Sequence, residues 1–130
     1  MKKSFQIKTT LPVEPYVVYH AWLNSEEHGN MTGGEAQCSD IVGGRFSAWD
    51  GYISGTNESL TPNQEIVQRW RTIEFADTDP SSLLTIRLTP YALGCQLILI
   101  HTEIPENQPD YEQGWREHYF EPMASYFKVD

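Results

Sequence analysis

Residues 95–126 read CQLILIHTEIPENQPDYEQGWREHYFEPMASY, and the hydropathy period changes inside them. Cys95, Leu97, Leu99 and His101 alternate with Gln96, Ile98, Ile100 and Thr102, the two-residue period of a strand. Both sets are mostly apolar, which predicts a central or well-covered strand. Glu103 to Pro109 is polar and proline-bearing, a connector. From Tyr111 the period lengthens. Tyr111, Trp115, His118 or Tyr119, Pro122 or Met123, and Tyr126 form one stripe on a helix of about five turns. Pro109, Asp110 and Glu112 suit the first turn of that helix, and Lys128 suits its other end. Pro122 removes one backbone bond and is expected to kink it.

Upstream of this pair the chain reads as strands. Arg45 to Trp49 is followed by Asp50-Gly51, a strong hairpin signal. Tyr52 to Leu60 returns, and Pro62-Asn63-Gln64 turns the chain again. Glu65 to Phe75 puts Ile66, Gln68 and Trp70 on one face, with Val67, Arg69 and Arg71 on the other. Leu84, Ile86 and Leu88 alternate with Thr85 and Arg87. All these connections are short, so the sheet is antiparallel. At the N-terminus, Phe5 and Ile7 mark a first strand. Pro12 and Pro15 end it and open a helix of about three turns, carrying Val18 with Trp22 and Tyr19 with Leu23. Asn24 closes that helix, and Ser25 is expected to cap a second short one through Glu26, Glu27 and His28. Residues 29–44 hold five glycines and read as a loop.

Composition sets the outer bounds. The chain has 130 residues, 9 Lys plus Arg against 18 Asp plus Glu, and a formal net charge of −9. Residues 1–130 are expected to form one domain. The acidic balance argues against nucleic acid, which needs clustered cations, and against anionic membrane surfaces. With 4 Trp, 7 Tyr and 5 Phe the chain is too aromatic for disorder. The Met1-Lys2-Lys3 start is not followed by an apolar run, so no signal peptide is expected. Cys38 and Cys95 match no zinc spacing and read as free thiols, which places the protein in the cytoplasm.

The order is strand, helix pair, five strands, long helix. The predicted fold is α+β, a curved antiparallel sheet of about six strands wrapped around the long C-terminal helix, with two short N-terminal helices closing one end. The space between a curved sheet and an aromatic helix face is a natural pocket. Gly44-Arg45-Phe46, Asp50-Gly51-Tyr52-Ile53-Ser54-Gly55, Leu60-Thr61-Pro62, Ile66-Val67-Gln68-Arg69-Trp70-Arg71, His101 with Ile104-Pro105, and Gly114-Trp115 leading to Pro122-Met123 and Tyr126-Phe127 carry a resemblance in their order and spacing. From about Phe5 to Phe127 the chain resembles the domain of the activator of 90 kDa heat shock protein ATPase homologues, within the START-like (Bet v 1-like), helix-grip superfamily. The resemblance implies a helix grip with a cavity. Eukaryotic members of the family add an N-terminal domain and a Trp-His-Trp segment, and these 130 residues contain neither.

The candidate residues follow from the pocket. Trp70, His101, Trp115, His118, Tyr119 and Met123 are expected to line it and to bind a small apolar or amphipathic ligand. An inward-facing arginine among Arg45, Arg69, Arg71 and Arg87 would hold a ligand carboxylate. His101 near His118 and Tyr119 would orient a ligand, or act as a base if the chain were a cyclase- or hydrolase-like enzyme. No catalytic residues are assigned. Glu117, His118 and Glu121 make no known metal motif, so no metal and no cofactor are expected. No nucleotide loop and no Gly-x-Ser-x-Gly elbow occur. Expected partners are a small hydrophobic ligand or, alternatively, the 90-kDa heat shock chaperone, with the chain a monomer or homodimer.

Overall fold

The structure, a computed structural model, describes residues 2–128. Strand β1 (Lys3–Leu11) leads into helices α1 (Pro15–Leu23) and α2 (Ser25–Thr32). Five strands follow: β2 (Arg45–Ala48), β3 (Ile53–Thr61), β4 (Glu65–Thr72), β5 (Ser82–Tyr91) and β6 (Gly94–Ile104). They form one antiparallel, curved sheet in the order β1-β6-β5-β4-β3-β2. Strands β2 to β6 are thus a meander, and β1 closes it by pairing with the last strand. This is the expected α+β helix grip.

The strand faces follow the two-residue alternation. Ile66, Gln68 and Trp70 of β4 are buried, as are Leu84, Ile86 and Leu88 of β5 and Cys95, Leu97, Leu99 and His101 of β6. The concave face of the sheet therefore carries the core. Gly55 of β3 sits where an added Cβ would lie 1.8 Å from the Arg69 carbonyl, under the Phe46 ring. It is a close-packing point between strands.

Two local expectations are corrected. Ser25 does not cap α2. Asn24 does, its side chain accepting from the Glu27 N–H at 2.9 Å, while Ser25 Oγ accepts from the Cys38 N–H at 2.7 Å. Helix α2 also runs on to Thr32, where Gly33 at φ 88° ends it.

The C-terminal helix is not uniform. It runs as α3 (Tyr111–Trp115), a π-helical stretch over Arg116–Phe120, and α4 (Glu121–Tyr126). The Glu121 N–H reaches the Arg116 carbonyl, five residues back. Pro122 follows at once, where its ring would meet the carbonyl of His118 in a regular helix. The wide turn lies directly before the proline, where the regular bonding pattern is interrupted. It also answers the spacing of the buried side chains, since Tyr111, Trp115, Tyr119, Met123 and Phe127 recur every fourth residue. In a regular helix such a stripe drifts by about 40° at each step. A stretch with more residues per turn brings it back into line over the sheet.

Among the described residues, no helix is long and apolar enough to cross a membrane.

Candidate functional site

A cleft of about 290 Å³ opens between the C-terminal helix and the β2–β3 end of the sheet. The hairpin turn contributes Trp49 and Tyr52, β3 contributes Ile53, and β4 contributes Trp70. The helix side is Tyr111, Gly114, Trp115, His118 and Tyr119. Gly114 matters by what it lacks, because a Cβ there would meet no atom within 4 Å. Its bare backbone leaves room in the middle of the helix face.

The turn is held in an unusual conformation. Trp49 and Asp50 have φ of 52° and 58°, and Gly51 has φ of 91°. Left-handed backbone at a bulky residue has to be sustained by surrounding contacts. Gly34 supplies one, since a Cβ at that position would come within 2.7 Å of the Trp49 ring. The Trp49 ring stands edge-on to His118 at 5.4 Å. Its indole Nε1–H is buried and has no hydrogen-bond partner among the described residues.

Behind the cleft lies a packed aromatic cluster. Trp70 is edge-on to His101 at 4.6 Å and to Tyr111 at 5.1 Å, and it meets Trp115 at 5.5 Å. Trp115 packs on Tyr119 at 4.6 Å, and Tyr119 on Trp22 of α1 at 5.1 Å.

Two buried histidines tie this cluster together in opposite tautomers. The Trp115 indole donates to His101 Nδ1 at 3.1 Å. An indole N–H only donates, so Nδ1 is the acceptor and the proton sits on Nε2. Nε2 then donates to Ser82 Oγ at 2.8 Å, and Ser82 donates onward to the Trp70 carbonyl at 2.8 Å. His101 is fully buried, and desolvation pushes its pKa down to about 3. With both nitrogens engaged it is a neutral link between sheet and helix. His28 runs the other way. Its Nδ1 donates to the Trp22 carbonyl at 2.8 Å, so its Nε2 accepts from the Tyr119 hydroxyl at 2.8 Å. Burial lowers the His28 pKa and raises that of Tyr119, which keeps the bond between neutral partners.

Further polar chains brace the walls. The Trp22 indole donates to Gln68 Oε1 at 3.4 Å, and Gln68 donates to Asn57 Oδ1 at 2.9 Å. Asn57 donates to the carbonyls of Ser39 and Ile41. At the other end the Tyr111 hydroxyl donates to Gln108 Oε1 at 2.7 Å and accepts from Thr72 Oγ1 at 2.7 Å. Desolvation raises the Tyr111 pKa.

The residues singled out in the sequence thus fall in two places. Trp70, Trp115, His118 and Tyr119 line the cleft, with His118 exposed at its mouth. His101 and Met123 are fully buried and are not among the lining residues. The partner of His101 is Trp115, one turn before His118 and Tyr119. The arginines take the outer side. Arg69 pairs with Glu58 at 3.2 Å and Glu103 at 3.4 Å, and Arg87 with Glu65 at 2.8 Å. Arg71 donates to the carbonyls of Asp79 and Ala76, and Arg45 is exposed on β2. None of the four lines the cleft. Among the described residues, no three His, Cys, Asp or Glu side chains gather closely enough to hold a metal ion. Both cysteines are free, and burial raises each thiol to about 11.

Sequence reasoning missed Trp49, Tyr52, Tyr111, Gly114 and His28. Trp49 and Tyr52 flank the Asp50-Gly51 signal, and Tyr111 lies four residues before Trp115, so those three had a trace. His28 did not, since Glu26-Glu27-His28 reads as polar surface.

Comparison with known proteins fits this architecture. The family described as "Activator of Hsp90 ATPase homolog 1-like protein" matches residues 12–128, and the chain belongs to it. The activator of 90 kDa heat shock protein ATPase homolog of Dictyostelium discoideum is 24% identical over 127 residues, covering 96% of this chain and 33% of that protein. Homolog 1 of Homo sapiens is 28% identical over 124 residues, covering 93% of this chain and 36% of its own length. The chain therefore spans about a third of the curated relatives that it matches. A crystal structure of an HSP90 activator from Plasmodium falciparum superposes with a TM-score of 0.85 at 24% identity, covering 95% of this chain and 94% of that one.

Proposed function

We propose that this member of the activator family works by binding rather than by catalysis, and that its cleft takes a small apolar or amphipathic ligand. The observation that carries this reading is the wall of the cleft, which is aromatic on three sides and left open by Gly114. A flat apolar body fills such a space and gains from each ring that it covers. Among the described residues the buried indole Nε1–H of Trp49 has no partner, which favours a ligand carrying a hydrogen-bond acceptor. The chemistry of the surrounding groups argues against turnover. His101 has no free lone pair, and the Tyr111 and Tyr119 hydroxyls are engaged and pushed away from ionisation. The two free, high-pKa thiols fit a reducing cytoplasm.

The test is tryptophan emission titrated with lipids, sterols and aromatic acids, because Trp49, Trp70 and Trp115 all line the cleft. A saturable shift with at least one class, lost on filling the cleft by Gly114→Leu, is the expected result. No shift with any class overturns the reading.

A second reading rests on a separate observation, the family itself and the relatives named as activators of the 90-kDa heat shock ATPase. On that reading the chain is an accessory module that docks on such a chaperone. Pull-down and ATPase assays at low and moderate salt decide it. Salt-sensitive binding supports it, given the net charge of −9, and no binding at either salt removes it.

A further inference from the structure

Helices α1 and α3 bond to the concave side of the sheet, and His28 of α2 bonds Tyr119 of the π-helical stretch. Trp22 of α1 bonds Gln68, and Trp115 bonds His101, both inward residues. Among the described residues, no helix is bonded to the opposite side of the sheet. Its centre is apolar, made of Val67 on β4, Leu83 on β5, and Ile98 and Ile100 on β6. All four are only partly buried, and none belongs to the core or packs against it. Register joins them into one patch. Ile100 lies opposite Thr85 and Thr85 opposite Val67, giving a middle row, with Ile98 beside Arg87 and Leu83 beside Arg69 in the rows on either side.

Charge distinguishes this face from the rest of the molecule. The chain carries −9 overall. On this face Arg87 is paired with Glu65, and Arg69 with Glu58 and Glu103, while Lys8 and Arg71 add cations. The face is close to neutral while the remainder of the surface is strongly acidic. Two copies of the chain repel wherever their acidic sides meet and can approach without that cost here. The sheet edges are less suited to pairing. Edge strand β1 presents Lys3 and Lys8 to solvent, and edge strand β2 is only four residues long.

We propose that the open face of the sheet is a self-association surface, on which a second copy of the chain docks face to face through Ile100, Val67 and their neighbours. A two-fold axis laid across the strands along the middle row stacks Ile100 on Ile100 and Val67 on Val67. The same rotation exchanges the outer rows, so Glu65 of one copy comes over Arg69 of the other. It also brings Arg87 over Leu83 and Ile98 over Thr102, so the match is confined to the middle row and to the β4 charges. Five strands at about 4.8 Å spacing and three rows give a footprint of about 500 Å² per copy, at the small end of specific interfaces. The association is therefore weak and concentration-dependent.

The experiment is sedimentation equilibrium of the full chain at moderate salt, up to about 500 μM. The expected result is a mass rising from 14.9 kDa toward the dimer. Ile100→Lys is expected to hold the protein at monomer mass throughout. Leu93→Lys, at a hairpin tip that is 97% exposed, is expected to associate as the wild type does. Emission of the buried tryptophans reports that each variant is folded. If Ile100→Lys fails to fold, Thr85→Glu replaces it at the centre of the same row. A wild type that stays monomeric at the highest concentration overturns the proposal. So does a folded variant of the middle row that associates undiminished.

Discussion

Replacing His101 by Asn separates the two roles of that imidazole. The wild-type ring accepts from Trp115 at 3.1 Å, donates to Ser82 at 2.8 Å and is fully buried. An Asn amide oxygen keeps an acceptor near Nδ1, no longer reaches Ser82, leaves a small cavity and cannot be protonated. At neutral pH the change should cost about 2 kcal/mol, from one lost buried bond and incomplete repacking. The pH dependence is more telling. The folded imidazole sits at about 3, against 6.5 for an ordinary one. A base depressed by folding contributes stability that is complete above its unfolded value and is lost as pH falls toward its folded value. The loss runs at about 1.4 kcal/mol per unit, or about 2 kcal/mol between pH 7 and pH 5. That window lies above most carboxylate titration. His28 is also depressed and adds a loss of the same sign, but it is present in both proteins. The penalty of His101→Asn should therefore shrink from about 2 kcal/mol at pH 7 to near zero at pH 5. Urea unfolding followed by tryptophan emission at several pH values measures it. A penalty that stays constant with pH would refute the neutral-link assignment.

Other outcomes follow from the same geometry. Gly114→Ala should stabilise the helix by about 0.5–1 kcal/mol, since its Cβ meets nothing, and thermal unfolding reads this directly. Tyr119→Phe removes the donor to His28 Nε2 and should cost about 1–3 kcal/mol, and a double-mutant cycle with His28→Leu should show the two effects to be strongly non-additive. Asn57→Ala should release the 39–41 backbone, seen as faster amide exchange in that loop with little change at β6. At pH 8, Cys38 should alkylate at least about a hundredfold more slowly than free cysteine, because burial holds its thiol at about 11.

The alternation of small elements in the sequence was enough for the architecture. Period two in β4, β5 and β6, followed by the aromatic stripe from Tyr111, determined an antiparallel sheet gripping a helix, because each element has one face that must leave water. The inward set of β6 was legible for the same reason. The stripe also held a clue to the π-helical stretch, in its four-residue spacing and in Pro122, though periodicity alone read only a kink. What tertiary structure alone decided was the pairing of polar groups across the core. Nothing local to Glu26-Glu27-His28 says that the imidazole turns inward, because its partners are the Trp22 carbonyl and a tyrosine 91 residues later. Nothing local to His101 says that Trp115, rather than His118 or Tyr119, meets it, because the answer depends on how the helix lies across the sheet. Hydrophobic burial is a property of single residues at regular spacing, so it can be read along the chain. A hydrogen bond between distant residues needs a direction and a distance, and these exist only once the elements are packed.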